Sequence, residues 1–116
     1  MKKLLFLLLA LTWPAFQALQ AQSGLSQAEE DALTYLAEEE KLARDNYMVF
    51  GEQWGLAIFS NIAKSEQKHM DALEVLLDAF GLTDPVTDEK NIGTFVNAEL
   101  QALYDEMKAA GMQSDM

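Results

Sequence analysis

Residues 59–80 read FSNIAKSEQKHMDALEVLLDAF, and the spacing of their apolar side chains predicts one long helix. One row of this helix follows alternating steps of three and four residues, which is typical of a helix packed in a bundle. The row consists of Phe59, Ile62, Glu66, His69, Leu73, Leu76 and Phe80. A carboxylate and the chain's only histidine therefore occupy the middle of an otherwise apolar row.

The preceding segment has a row of the same kind with one carboxylate in it. Its members are Leu33, Leu36, Glu40, Ala43, Tyr47 and Phe50. At 1.5 Å of rise per residue, Glu40 lies roughly 15 Å before Gly51, and the pair Glu66 and His69 lies roughly 15 Å after the expected helix start at Ala57, so the groups are level on facing helices. An unpaired charge in a dry core costs several kcal/mol. We therefore predict that Glu40, Glu66 and His69 meet in the dry centre of a helix pair and bind a metal.

A structural alternative needs no metal. Glu40 and His69 would form a buried ion pair that fixes the register of the two helices, with Glu66 partly in solvent. Glu38 and Glu39 lie off the row and are expected to be solvated.

Helix boundaries follow from capping residues. Ser26 with Glu29 is a capping box that predicts the start of a first helix, which we expect to end near Phe50 before Gly51. A second helix is predicted from Ala57 to Phe80. The link between them is short, which indicates antiparallel neighbours.

A third, shorter helix is expected near the end of the chain. Gly81 ends the second helix, and Asn97 can cap a helix that runs to about Ala110 before Gly111. No segment alternates with period two, so the predicted fold is all-α, an antiparallel helical hairpin with a short third helix.

The first residues are predicted to be a targeting segment. Lys2 and Lys3 precede an apolar run that ends before Pro14, and small residues follow, which is the layout of a secretory signal peptide over residues 1–22. The run is shorter than a membrane span, although an uncleaved anchor is the alternative. We expect a periplasmic or secreted protein with no stable membrane anchor after cleavage, a domain over 25–111 and a tail over 112–116.

Composition excludes several functions. The formal net charge of −11 makes nucleic acid an improbable partner, and the absence of cysteine excludes disulfides and thiol chemistry. A chain of this size without disulfides depends on its apolar core, a metal or a partner chain.

Two segments resemble the site helices of the rubrerythrin and ferritin-like superfamily. They are Glu40-Lys-Leu-Ala-Arg-Asp-Asn-Tyr47, with its Ala-Arg after the glutamate, and Ile62-Ala-Lys-Ser-Glu-Gln-Lys-His69, with its Glu-x-x-His. Over about residues 25–111 the chain is similar to a bacterial ferritin-like family, domain of unknown function 2202. The segments that carry this likeness include Glu38–Asp45, Phe59–Ala63, Ser65–Ala72 and Asn97–Tyr104.

The resemblance implies half of a four-helix bundle. By that match Glu40, Glu66 and His69 would be ligands of a dinuclear site holding iron, or alternatively manganese, with ferroxidase or peroxidase chemistry if the site is completed. The family's fold implies two further helices, so we expect a homodimer or missing C-terminal helices. The alternative function is a metal-free helical interaction module of the cell envelope.

Overall fold

A computed structural model of the protein describes residues 23–113, which form three α-helices and no strand. Helix α1 spans Gln27–Trp54, α2 spans Ala57–Ala79 and α3 spans Ala98–Gln113. The predicted all-α class is therefore confirmed for the described residues. The predicted signal peptide lies outside them, as do residues 114–116 of the predicted tail. None of the three helices is both long and apolar enough to cross a bilayer.

Helix α1 begins as its capping residues predict and ends later than expected. The Ser26 hydroxyl accepts a hydrogen bond from the backbone N–H of Glu29, whose side chain accepts from the N–H of Ser26. The expected stop at Gly51 is wrong, because the helix continues to Trp54 and ends at Gly55 with φ of 64°. Gly51 instead lies where the helices approach each other, since an added Cβ would be 3.7 Å from Phe59 Cβ.

Helices α1 and α2 pack side by side and run antiparallel. Tyr47 and Phe50 near the end of α1 contact Phe59 near the start of α2, whereas Glu40 contacts His69 farther along. Helix α2 ends as predicted, because Gly81 has φ of 69° and the N–H of Leu82 bonds to the Leu77 carbonyl.

The buried face of α2 is displaced from the predicted row. Its buried residues are Ala63, Met70, Leu73 and Leu77. Of these, only Leu73 belongs to the predicted row, whereas Leu76 is 38% exposed. The predicted row therefore lies along one flank of the interface between α1 and α2. We refer to this side, defined by the two predicted rows that contain Glu40, Glu66 and His69, as the triad flank.

Helix α3 packs on a different side of α1. A core of Leu42, Phe95, Leu100 and Tyr104 joins the two helices and the preceding loop. The Asn97 side chain caps α3 as predicted, accepting from the N–H groups of Glu99 and Leu100. The expected stop before Gly111 is wrong, because α3 continues to Gln113 and a Cβ at Gly111 would collide with the Phe50 ring.

Charged residues of α1 fasten the loop before α3. Glu38 was expected in solvent, but it is 5% exposed and its carboxylate accepts from the backbone N–H groups of Val96 and Asn97. That expectation is wrong because these loop amides need an acceptor when they are removed from water. Asp45, fully buried, pairs with Lys41 at 2.6 Å and with Arg44 at 2.8 Å.

Candidate metal centre

The three residues singled out in the sequence lie together across the helix pair. Nδ1 of His69 is 3.3 Å from Oε2 of Glu40 and 3.2 Å from Oε2 of Glu66. Helix α1 supplies Glu40, and one turn of α2 supplies Glu66 and His69, whose three-residue spacing points them the same way. One ligand atom from each residue lies within 4.8 Å of those from the other two. We refer to these residues as the triad.

The predicted dry environment of the triad is wrong for His69. The His69 side chain is 58% exposed, whereas those of Glu40 and Glu66 are 22% and 19% exposed. The reason is the displacement of the α2 row, which places the histidine on the triad flank and not against α1. Within this chain, solvent reaches the triad from that side.

Glu66 perturbs Glu40, and both carboxylates perturb the imidazole. A hydrogen bond with Glu66, burial and the Glu66 charge raise the pKa of Glu40, while His69 acts in the opposite direction. Hydrogen bonds to Glu66 and then to Glu40 raise the pKa of His69 above 6.5. The adjacent carboxylates therefore favour the protonated form of His69.

The donor set and its spacing fit a divalent cation. An octahedral ion with metal–ligand bonds of about 2.1 Å holds neighbouring ligand atoms about 3 Å apart. The two nitrogen–oxygen separations, 3.2 and 3.3 Å, are close to that value. Two carboxylates and one imidazole suit iron or manganese, and a cation would displace the protons that the cluster otherwise holds.

Apolar residues border the triad along both helices. On α1 every apolar member of the predicted row is half-buried, namely Leu33, Leu36, Ala43, Tyr47 and Phe50. On α2 Phe59 and Ile62 are half-buried, as is Phe80 directly after the helix, and Leu76 is exposed. The triad flank is thus an apolar surface with a polar centre, of the kind that further helices cover in a bundle.

A groove between α1 and α2 that includes Arg44, Lys64 and Gln67 was not predicted from the sequence. No periodicity of apolar residues indicates it, because its polar side chains come from different helices.

A weak signal was available for the buried charges. Glu38, Lys41 and Asp45 follow steps of three and four, the spacing of one helix face.

Comparison with known proteins places the chain in a family. Residues 29–116 match the family described as "Uncharacterized protein domain (DUF2202)". The chain is 42% identical over 92 residues to the uncharacterized protein MJ0754 of Methanocaldococcus jannaschii, covering 79% of this chain and 49% of the relative.

A solved structure agrees in fold. The crystal structure of hypothetical protein MJ0754 from Methanococcus jannaschii superposes with a TM-score of 0.75 at 43% identity, covering 78% of this chain and 51% of that one. The chain thus spans about half the length of this relative. By the match of residues 29–116, the chain belongs to the uncharacterized DUF2202 family.

Proposed function

We propose that the chain is a ferritin-like hairpin whose triad supplies half of a dinuclear metal site, with iron as the metal and manganese as the alternative. The observation that carries the proposal is the convergence of Glu40, Glu66 and His69 from two helices to within 4.8 Å. Ferritin-like proteins hold two metals with a glutamate from each of two helices and a Glu-x-x-His from each of the other two. One hairpin of this chain has half of that set.

The surroundings of the triad support a site completed by further protein. His69 is too exposed for a closed site, and the apolar rows of the triad flank continue to both sides of it. A second copy of the hairpin would cover those rows and bring a second Glu and Glu-x-x-His. Additional C-terminal helices, as the greater length of the relative allows, would do the same.

The residues have defined tasks in this proposal. Glu40 and Glu66 would neutralise the cation, and Nδ1 of His69 would add a nitrogen ligand in place of its hydrogen bonds to them. Iron held there would supply ferroxidase or peroxidase chemistry, in which dioxygen or peroxide is the oxidant. Carboxylate-rich ligation supports this chemistry because it favours the ferric state. The signal peptide predicted over residues 1–22 would place this activity in the periplasm or outside the cell.

Anaerobic titration with ferrous iron tests the proposal. We expect roughly one metal per chain and loss of binding in Glu66→Ala and His69→Ala. Glu39→Ala is the matched control, because Glu39 is an exposed glutamate adjacent to Glu40. Circular dichroism would show that all three variants fold. Absent binding, or binding that survives both triad substitutions, favours the metal-free interaction module.

Sedimentation of the same samples tests how the triad flank is covered. Leu76 and Val75 are adjacent and exposed, but only Leu76 belongs to the triad flank. If two copies complete the site, Leu76→Glu should convert a dimer to a monomer while Val75→Glu should not. If both variants and the parent chain are monomers, additional helices would have to complete the metal site.

A further inference from the structure

A groove of about 470 Å³ lies between α1 and α2, and its lining does not include Glu40, Glu66 or His69. Its lining residues are Arg44, Tyr47, Met48, Gly51, Glu52, Ser60, Ala63, Lys64 and Gln67. Gly51, Ser60 and Ala63 have small side chains, so the space between the two helices stays open there. A concave site of this size, mostly apolar with a few polar groups, is typical of small-molecule binding.

Two residues that line the groove also bind the loop before α3. Nη2 of Arg44 donates to the Glu89 carbonyl, and Nε2 of Gln67 donates to Oε2 of Glu89 at 3.2 Å. These contacts hold Glu89 next to Arg44 and Gln67, so the position of both side chains is fixed.

Arg44 has one hydrogen-bond donor left over. A guanidinium has five N–H groups, and four of them donate to Asp45 (twice), Gln67 and the Glu89 carbonyl. The Glu89 carboxylate stays 4.0 Å from Nη1, beyond hydrogen-bond distance. The side chain is only 6% exposed, and Arg44 is one of the residues that line the groove.

The charge along the groove is opposite to that of the whole protein. Acidic residues outnumber basic ones by 19 to 8 in the chain, yet the lining has two basic residues and one acidic residue. Within residues 23–113, no carboxylate lies within ion-pair distance of the exposed Lys64. Arg44 is already paired with Asp45 at 2.8 Å, so Lys64 supplies the positive charge of the groove that no carboxylate of the described residues pairs with.

We propose that this groove binds a small apolar molecule that carries one carboxylate. The carboxylate accepts hydrogen bonds from Nη1 of Arg44 and from Lys64, and the apolar body lies over Gly51, Ala63 and Met48. Arg44 suits this task because its planar guanidinium matches a carboxylate. The proposal does not depend on a metal at the triad, because none of the triad residues lines the groove.

Isothermal titration with octanoate tests the site in the purified chain. We expect saturable binding, and we expect Ser60→Trp to abolish it by filling the groove from its rim. Ser60 is exposed, so the substitution should leave the fold intact, which circular dichroism would verify. Octanol, which has the same chain and no charge, should bind more weakly.

The contribution of Lys64 is tested against a neighbouring lysine. Lys64→Gln should weaken octanoate binding by up to about fivefold, the range expected for an exposed ion pair. Lys68→Gln is the matched control, because Lys68 is exposed on the same helix but does not line the groove. It should leave the affinity unchanged.

Several outcomes would overturn the proposal. These are an absence of saturable binding, octanoate binding that survives Ser60→Trp, equal losses in the two lysine variants, or equal affinity for octanol. Sedimentation gives a further check. If Ser60→Trp converts a dimer to a monomer, the groove is an interface between two copies and not a ligand site.

Discussion

Oε2 of Glu40 and Nδ1 of His69 lie 3.3 Å apart, although 29 residues separate them in the chain. The contact joins α1 and α2 at the level of the triad. His69 lies on the flank of the helix pair and not between the helices. Carboxylates therefore bind His69 while its ring still faces water. A cation can therefore reach the site from solvent, and the protonation of His69 can be followed by titration.

The chain's only histidine should titrate above its ordinary pKa in the metal-free protein. The nearby carboxylates raise the pKa of His69 above 6.5, and the hydrogen bond to Glu66 is the largest cause. Glu66→Gln should therefore lower the midpoint, and Glu39→Gln should leave it in place. The measurement is a proton NMR titration of the single imidazole signal. A midpoint at or below 6.5 in the parent chain would contradict the geometry of the triad.

The same shift gives stability a defined pH dependence. A folded-state pKa above the unfolded value means that the stabilisation from His69 is fully present below pH 6.5. It is lost as the pH rises through the folded-state pKa. Urea unfolding of the metal-free chain should show this loss, and His69→Ala should remove it.

Glu38→Ala should destabilise the fold by about 2 to 4 kcal/mol, because two backbone N–H groups lose their acceptor. Those groups belong to Val96 and Asn97, at the start of α3. Urea unfolding measures the change, and Glu38→Gln, which keeps one acceptor oxygen, should cost less. Glu39→Ala should stay within about 0.5 kcal/mol of the parent. Equal effects at the two positions would mean that Glu38 is not the acceptor.

Asp45→Asn should destabilise the fold by about 3 kcal/mol or more, because it leaves two buried cations without their shared counter-charge. Asp45 is fully buried between Lys41 and Arg44, and Oδ2 also accepts from the N–H of Gly93. Unfolding by urea measures the loss, with the exposed Asp71→Asn as control. A change below about 1 kcal/mol would show that water screens this pair of cations.

Local capping signals predicted the helices well, but two glycines were misread. Gly55 and Gly81, with positive φ, end helices, whereas Gly51 and Gly111 lie inside them. Gly111 faces the Phe50 ring and Gly51 lies near Phe59, so both glycines serve close packing. A sequence does not distinguish these two uses, because the difference depends on contacts between distant segments.

The sequence predicted which residues meet at the triad but not how deeply they lie. A row with steps of three and four shows that Glu66 and His69 share a side of α2, and it does not show which row faces α1. Ala63, Met70 and Leu77 form a neighbouring row that is equally apolar, and this row is buried. The loop contacts of Glu38 were not predicted either, because a run of charged residues in the sequence resembles a solvent-exposed surface.

The most direct test of the metal site is an anomalous difference map from crystals of the chain grown with Mn²⁺. A metal site at the triad should give one strong peak about 2 to 2.3 Å from Nδ1 of His69 and from a carboxylate oxygen of each of Glu40 and Glu66. This proposal would be contradicted if Mn²⁺ bound elsewhere, or if no peak appeared while His69 kept its hydrogen bonds to both glutamates.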